Sequence, residues 1–300
     1  TGQRYGTYSY DTEGRAISSE HGSTQANRTH ITYHSDGSRT ITDGLGKERQ
    51  YDYENHLGVA KVTSISAPCS QCGSRGENKT YDMFGRVIAQ TDFRGYETRY
   101  RYEDVERPDL ETSRTEGVGT DQQRTVTTQW NARWRLPAQR AEPQLLSRWH
   151  YQGDPGIECG GVPGALCRLE QWTTDDGDGS LGLGVEVSSS PRVTRWAYVP
   201  ADSESAAAGK LQSVDGPRDD VSDVQRYEYD DNSGYLIATV NALGHRTSYE
   251  DHDGWGRPAR IVDANGMVTE QQYHPRGWLL RRDLGGAVTS LEYDEAGQLI

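Results

Sequence analysis

The chain has 300 residues, a formal net charge of −13, a hydrophobic fraction of 33% and a mean hydropathy of −0.89. This composition is close to that of disordered proteins, but 18 Tyr, 7 Trp and 34 regularly placed Gly favour a folded, strand-rich chain. The acidic charge argues against binding to nucleic acid, and no apolar run approaches the roughly 20 residues of a membrane helix.

The first part of the chain, residues 1–102, repeats a turn signature in which a polar residue lies three positions before a glycine. The signature occurs in two interleaved forms, as Tyr10-Asp11-x-x-Gly14, Tyr81-Asp82-x-x-Gly85 and Asp43-x-x-Gly46. It predicts tight turns because Asp binds nearby backbone N–H groups and Gly tolerates positive φ. We therefore assign this region to a Tyr-Asp repeat array.

The middle of the chain, residues 103–225, is more degenerate and is predicted to contain divergent repeats with long loops. Trp130 and Tyr151 are 21 residues apart and mark one such unit. The segments 173–190 and 200–209 are rich in Gly, Ser, Asp or Ala and are predicted to be exposed loops or hairpin tips.

The last part, residues 226–300, shows the repeat most clearly. Successive units run from Tyr229-Asp230 to Gly234, from Tyr249 to Gly256, from Tyr273 to Gly277 and from Tyr293-Asp294 to Gly297. The glycines are 22, 21 and 20 residues apart, and a second set lies between them at Gly244, Gly266 and Gly286. The pattern is still running at Ile300, so we expect the array to continue beyond this fragment.

Each unit contains two turns joined by runs of five to seven residues, which suit strands and are too short for helices. The predicted fold class is therefore all-β, an antiparallel strand-repeat array in which each unit adds two strands to a growing sheet. Many strands are polar on both faces, as in Arg99 to Tyr102. We expect water or a cargo on one face, with Tyr and Arg ladders in place of a dry core.

The four cysteines form a Cys-x-x-Cys pair, Cys69 and Cys72, and a more widely spaced pair, Cys159 and Cys167. Two local disulfides suit an exported protein best, although three pairings are possible. Free thiols and a metal or redox role stay open as alternatives, but the second spacing does not fit a zinc ribbon.

No motif in the sequence predicts catalysis or a cofactor. The acidic segment from Asp175 to Gly179 lacks the ligand spacing of a helix-loop-helix calcium site, so we interpret it as a solvated turn. Hydrolase, phosphate-loop and dinucleotide signatures are missing as well. The repeated Asp residues are better explained as turn-capping groups, and we predict no catalytic, cofactor-binding or metal-binding residues.

The recurring Tyr-Asp-x-x-Gly-Arg units resemble those of the bacterial Rhs/YD-repeat proteins, relatives of insecticidal toxin complex C components and teneurins. The resemblance extends over most of the chain. It implies a curved or spiralling sheet, part of a hollow β-cocoon that encloses a C-terminal toxin domain, in a protein that is secreted or held at the cell surface. The family's cleavage motif is not evident, and we interpret Asp154-Pro155 as a turn.

The predicted function is thus a non-catalytic shell segment that encloses and helps deliver a toxin domain of the same polypeptide. Secretion-apparatus or cell-surface partners are also candidates, whereas nucleic acid is not. The alternative is a cell-surface recognition or adhesion module that binds glycans or a partner cell through aromatic side chains such as Trp172 or Trp196. A hydrolase is the least favoured function.

Overall fold

The computed structural model of the chain describes residues 6–21, 27–66, 76–294 and 297–300. Within these ranges the chain forms 23 strands and one 3-10 turn, Gly182–Gly184, and all strand pairings are antiparallel. The predicted all-β, antiparallel class is therefore confirmed. None of the described residues belongs to a helix that is long and apolar enough to cross a membrane.

The chain divides into two compact units, each described here by itself. The first comprises Thr1–Thr128 with Asp176–Gly182, and the second comprises Gln129–Asp175 with Leu183–Ile300. The three sequence regions are defined by the regularity of the motif, and these units are defined by packing, so their boundaries differ.

The first unit contains the strands up to the end of β11, whose last two residues belong to the second unit. They are β1 Gly6–Tyr10, β2 Ala16–His21, β3 Thr29–Tyr33, β4 Arg39–Thr42, β5 Glu48–His56, β6 Val59–Ser66, β7 Gly76–Tyr81, β8 Val87–Thr91, β9 Glu97–Arg101, β10 Ser113–Glu116 and β11 Arg124–Trp130. Each strand pairs with its neighbour in sequence, as Ile31 pairs with Ile41 between β3 and β4.

The second unit continues the same strand-turn-strand pattern. Its strands are β12 Pro137–Glu142, β13 Leu145–Tyr151, β14 Leu166–Thr173, β15 Arg192–Tyr198, β16 Leu211–Asp215, β17 Gln225–Tyr229, β18 Leu236–Val240, β19 Arg246–His252, β20 Pro258–Val262, β21 Val268–Tyr273, β22 Leu279–Leu284 and β23 Ala287–Ser290. The predicted loops at 173–190 and 200–209 lie between β14 and β15 and between β15 and β16.

A β-bulge recurs immediately before the tyrosine that ends a strand. The register shifts at this point before Tyr10, Tyr53, Tyr81, Tyr151, Tyr198, Tyr229 and Tyr273. A bulge adds one residue to one strand of a pair and redirects the side chains around it. The tyrosines of the repeat are therefore placed by an irregularity of the ladder and not by simple alternation.

The apolar core is small. Only eight hydrophobic residues are buried among the residues that the structure describes. In the second unit Ala141, Leu146 and Trp172 form a cluster against which Leu183 and Val185 pack. This fits the expectation from sequence that such polar strands cannot fill a dry interior.

The sheet of the second unit has two chemically different faces, as the register of its strands shows. One, the aromatic face, carries Trp149, Leu169, Trp196, Val214, Tyr227, Tyr249 and Ile261. The other, the charged face, carries Arg168, Glu170, Arg195, Asp215, Arg226, Glu228, Arg246, Glu250, Arg260, Glu270 and Asp283. On the charged face Arg246 lies 2.6 Å from Glu228, and Arg260 pairs with Glu250.

Candidate functional site

The turn that follows each Tyr-Asp pair is built by the aspartate. Asp82 Oδ1 accepts hydrogen bonds from the backbone N–H of Phe84 at 2.9 Å and of Arg86 at 3.0 Å. The backbone N–H of Gly85 donates to the carbonyl oxygen of Asp82 at 2.9 Å, and Gly85 adopts a φ of 73°, which a glycine accepts without strain. One carboxylate therefore satisfies two backbone donors that a tight turn leaves unpaired.

The same arrangement recurs along both units. The side-chain oxygen bonds to the N–H groups two and four residues later at Asp11, Asp43, Asp92, Asn241, Asp253 and Asp263. Repeated use of one carboxylate per turn is what a structural role requires, whereas a catalytic group is needed once.

The arginine of the motif links one repeat to the next. Arg86 Nε donates to Asp82 Oδ2 at 2.6 Å, and the Arg86 guanidinium lies over the Tyr102 ring at 4.7 Å from its centroid. Arg86 also donates to the carbonyl oxygen of Pro108 in the following loop. A cation held over an aromatic ring is attracted by the ring quadrupole, so this arginine bridges its own turn and the next tyrosine.

Two further motif arginines make the same bridge. Arg15 pairs with Asp11 at 2.7 Å and lies 4.4 Å from the centroid of the Tyr33 ring. In the second unit, Arg257 Nε donates to Asp253 at 2.8 Å, and the guanidinium lies 4.6 Å from the Tyr273 ring centroid. The Tyr and Arg ladder expected from the sequence is present at these positions.

The tyrosine hydroxyl completes the link by donating to a backbone carbonyl of the preceding strand. This bond joins Tyr33 to Ala16, Tyr81 to Val62, Tyr102 to Val87, Tyr151 to Pro137, Tyr198 to Leu166, Tyr229 to Leu211 and Tyr273 to Pro258, at 2.7 to 3.4 Å. After Arg15, Arg86 and Arg257, the acceptor is the residue that directly follows the arginine. Each of these links therefore has an ionic, an aromatic and a hydrogen-bonded part.

The motif tolerates substitutions that the sequence pattern did not identify. Histidine replaces the aspartate at His274, whose Nδ1 accepts from the Arg276 N–H at 3.1 Å. The sequence analysis pairs Tyr249 with Gly256, but the strand ends at His252, which contacts the Tyr235 ring at 5.4 Å and precedes Asp253. A Tyr-Asp search misses this unit because imidazole has replaced the phenol.

The divergent unit between Trp130 and Tyr151 also follows the pattern. Asn131 takes the place of aspartate, since its Oδ1 accepts from the Arg133 N–H at 2.8 Å. Asp154, the residue of the Asp-Pro sequence, caps a turn, because its carboxylate accepts from Asn131 Nδ2 and from the Tyr151 N–H, both at 2.9 Å.

Turns of the Tyr-Asp type pack directly against their neighbours. A Cβ placed on Gly256 would lie 3.0 Å from the Tyr235 ring, and one on Gly297 would lie 2.7 Å from the Trp278 ring. Gly85 is similarly close to His56, at 3.2 Å. We call the edge of each unit formed by the turns after the odd-numbered strands the Tyr-Asp edge.

Electrostatics favours the ionised form of the turn carboxylates. Hydrogen bonds from the Arg15 N–H and side chain lower the pKa of Asp11, and the Arg257 side chain lowers the pKa of Asp253. Burial acts in the opposite direction on Asp82, but hydrogen bonds from the Arg86 side chain and N–H hold its pKa below the ordinary value. Burial raises the pKa of Tyr151 to about 12.

The remaining predicted site residues lie in loops. Cys159 and Cys167 are joined by a disulfide that fixes the loop between β13 and β14 to the start of β14, whereas Cys69 and Cys72 lie outside the described residues. In the acidic loop, Asp176 accepts from the Leu181 N–H at 3.0 Å and Asp178 from the Ser180 N–H at 3.0 Å. These carboxylates cap backbone groups of their own loop.

The aromatic residues chosen for glycan binding lie in strands. Trp172 is in β14 and only 9% exposed, with the Arg148 guanidinium 5.2 Å from its ring centroid, so it is not available to a ligand. Trp196 is in β15, half-buried on the aromatic face. The exposed aromatic residues are instead near turns, with Trp255 80% exposed and Phe84 61% exposed.

Comparison with known proteins identifies similarity at the level of fold. The sequence matches no protein-family model and no curated protein. The chain resembles crystal structures of TcdB2-TccC3, of TcdB2-TccC3 without its hypervariable C-terminal region and of TcdB2-TccC3-Cdc42, with TM-scores of 0.54, 0.54 and 0.52 and identities of 14%, 12% and 14%. The matches cover 98% of this chain but only 16%, 17% and 18% of those chains. The chain thus has the fold of a segment of these toxin components.

Proposed function

We propose that this chain is a wall segment of an Rhs-type β-shell that encloses and helps deliver a toxin domain carried at the C-terminus of the same polypeptide. The segment is non-catalytic, and the protein is exported to the cell surface or beyond. The observation that carries the proposal is the fold similarity to TcdB2-TccC3 structures over 98% of the chain. One of those structures is described as lacking a hypervariable C-terminal region, which fits a constant shell followed by a variable cargo.

The way the chain is stabilised supports a wall rather than a solid domain. A globular domain obtains most of its stability from apolar burial, but only eight hydrophobic residues are buried in the described part of the chain. Links between adjacent repeats replace that burial, as in the Asp82, Arg86 and Tyr102 bridge. Such links leave both faces of a sheet available, one to solvent and one to an enclosed domain.

The carboxylates of the repeat support the non-catalytic assignment. Asp11, Asp82 and Asp253 each accept two backbone hydrogen bonds and pair with an arginine. A general acid or base must exchange a proton near the working pH, whereas the pKa of each of these groups lies below its ordinary value. These groups are suited to hold turns in the charged state.

The proposal is tested by electron microscopy of the intact polypeptide together with limited proteolysis. We expect a hollow particle and a C-terminal domain that resists protease while it is attached to the shell. The matched control is the same C-terminal domain expressed alone, which should be digested at the same protease concentration. A solid particle without an internal cavity, or equal digestion of both forms, would contradict the proposal.

A further inference from the structure

A polar depression of about 440 Å³ lies in the first unit, at the edge opposite the Tyr-Asp edge. This volume falls within the range of about 300 to 1,000 Å³ that is typical of small-molecule sites. The turn between β8 and β9 bounds one side of the depression, and the loop between β10 and β11 bounds the other. All of its lining residues belong to the first unit.

Four side chains on adjacent strands form the floor. Gln90 pairs with Thr98, Thr98 with Glu116, and Glu116 with Arg124, so these residues lie in one row across β8, β9, β10 and β11. Directly paired residues in antiparallel strands have their side chains about 5 Å apart on the same face. The row therefore presents amide, hydroxyl, carboxylate and guanidinium groups at regular intervals.

The wall opposite the turn is held in place before any ligand arrives. Thr120 Oγ1 donates to the carbonyl oxygen of Gly117 at 2.7 Å, and the Gly119 N–H donates to Gln123 Oε1 at 2.9 Å. The Val118 N–H binds the carbonyl oxygen of Glu97 at 3.0 Å, which fixes the loop to β9. A pre-formed wall avoids the ordering cost that a mobile loop incurs on binding.

The charges in the depression are already neutralised. Glu116 accepts from Arg114 Nε at 2.7 Å and from Arg124 Nε at 2.6 Å, one guanidinium on each carboxylate oxygen. Asp92 Oδ1 accepts from the N–H groups of Arg94 and Tyr96 at 2.8 and 2.9 Å. An anionic ligand would meet two carboxylates, and a cationic ligand would meet a guanidinium, so the arrangement favours a neutral one.

The depression also offers unused hydrogen-bonding groups beside an aromatic residue. Within the part of the chain that the structure describes, no hydrogen bond reaches the side chains of Thr98 or Gln122. Tyr96 lines the depression and is 50% exposed, although tyrosine has a large apolar ring. A pyranose matches both features, because its hydroxyl groups both donate and accept hydrogen bonds while its C–H face packs on an aromatic ring.

We propose that this depression binds a neutral oligosaccharide, with the floor row and Gln122 bonding to sugar hydroxyl groups and Tyr96 contacting the sugar ring. The site does not depend on the shell function. A shell without it would still enclose a cargo, and the loss of the shell function would not remove the depression.

The experiment screens the intact polypeptide against an array of neutral oligosaccharides, followed by calorimetric titration with the best ligand. We expect at least one neutral glycan to bind. Tyr96→Ala should weaken binding roughly three- to tenfold, because the ring contact is lost. Gln122→Ala should weaken it roughly two- to tenfold, because the hydrogen bonds of one side chain are lost.

The matched control is Tyr8→Ala, which removes a tyrosine of the same unit that is 59% exposed and does not line the depression. This variant should bind as the wild type does. Failure of every neutral glycan to bind would overturn the proposal, as would unchanged affinity in Tyr96→Ala. Binding restricted to sulfated or sialylated glycans and abolished by salt would overturn the neutral ligand class.

Discussion

The two edges of the sheet use the same local turn and differ in what lies beyond it. At the Tyr-Asp edge a Cβ on Gly256 would meet the Tyr235 ring at 3.0 Å, although φ at Gly256 is 78°. At the opposite edge Gly266 has nearly the same φ, 81°, but no atom lies within 4 Å of the corresponding Cβ. Leu243, on another turn of that edge, is 79% exposed.

This difference shows that turn formation and repeat coupling are separate tasks. A carboxylate or amide oxygen and a glycine suffice to reverse the chain at either edge, because all the hydrogen bonds involved are local. Only the Tyr-Asp edge adds an arginine and a tyrosine that reach a neighbouring repeat. The stability of the wall should therefore depend mainly on one edge, and the other edge should be free to vary or to bind a ligand.

The largest expected effect compares two glycines with equal backbone strain. Gly266→Ala should destabilise the protein by about 1 kcal/mol, because alanine is strained at positive φ. Gly256→Ala carries the same strain and must also displace the Tyr235 ring, so we expect about 3 kcal/mol. Denaturant unfolding of the intact polypeptide measures both variants. Equal destabilisation would contradict the distinction between the edges.

The next effect concerns the arginine link. Arg86→Ala removes the ion pair with Asp82 and the contact with Tyr102, and we expect a loss of about 2 kcal/mol because both partners are partly shielded from water. The control is Arg99→Ala, which breaks an ion pair with Glu97 in which the arginine is 61% exposed, and should change stability by less than about 0.5 kcal/mol. A loss as large in the control would show that any surface arginine serves equally.

A smaller effect isolates the tyrosine hydroxyl. Tyr229→Phe removes the 2.8 Å hydrogen bond to the carbonyl oxygen of Leu211 and should cost about 1 kcal/mol. Tyr227→Phe, in the same strand, removes a hydroxyl for which the described residues show no hydrogen-bond partner, so it should leave stability nearly unchanged. Hydrogen exchange of the amides in β16 and β17 should show faster opening only in the first variant.

The smallest effect is a dependence on acid pH. The folded pKa values of Asp11, Asp82 and Asp253 lie below the ordinary value of 3.8, so the unfolded chain takes up protons first as pH falls. The stabilisation from these groups is complete above pH 3.8 and is lost as pH falls through the lower folded values. Asp82→Asn should flatten this part of the curve of unfolding midpoint against pH, whereas Asp121→Asn, at an exposed carboxylate in the loop between β10 and β11, should leave it unchanged. A curve of the same shape in the Asp82 variant would contradict the assignment.

Much of the local structure follows from the sequence. The positions of the turns at Gly14, Gly85 and Gly266 are evident because Asp and Gly act on their own backbone, within four residues. The strand lengths and the all-β class follow from the spacing between those turns. The involvement of Tyr and Arg in place of a dry core also follows, because the strands contain too few apolar residues to bury.

The partners of those side chains were not predictable. The bulge before Tyr229 redirects its ring toward the carbonyl oxygen of Leu211, 18 residues away, and nothing near Tyr229 in sequence specifies that acceptor. For the same reason, the motif search assigned Tyr249 to a place that His252 occupies. The depression around Gln90 and Gln122 has no motif, because its residues come from three separate stretches of the chain.

The sequence by itself determined where the chain turns, since a turn is closed by the side chain and backbone of the same few residues. Only the tertiary structure decided which repeats are linked, which edge carries the links and which face is charged. Those features depend on strand register, and register sums contributions from many residues that are distant in sequence. The Tyr-Asp motif is thus a local signal for a turn, whose long-range meaning is set by the ladder in which it sits.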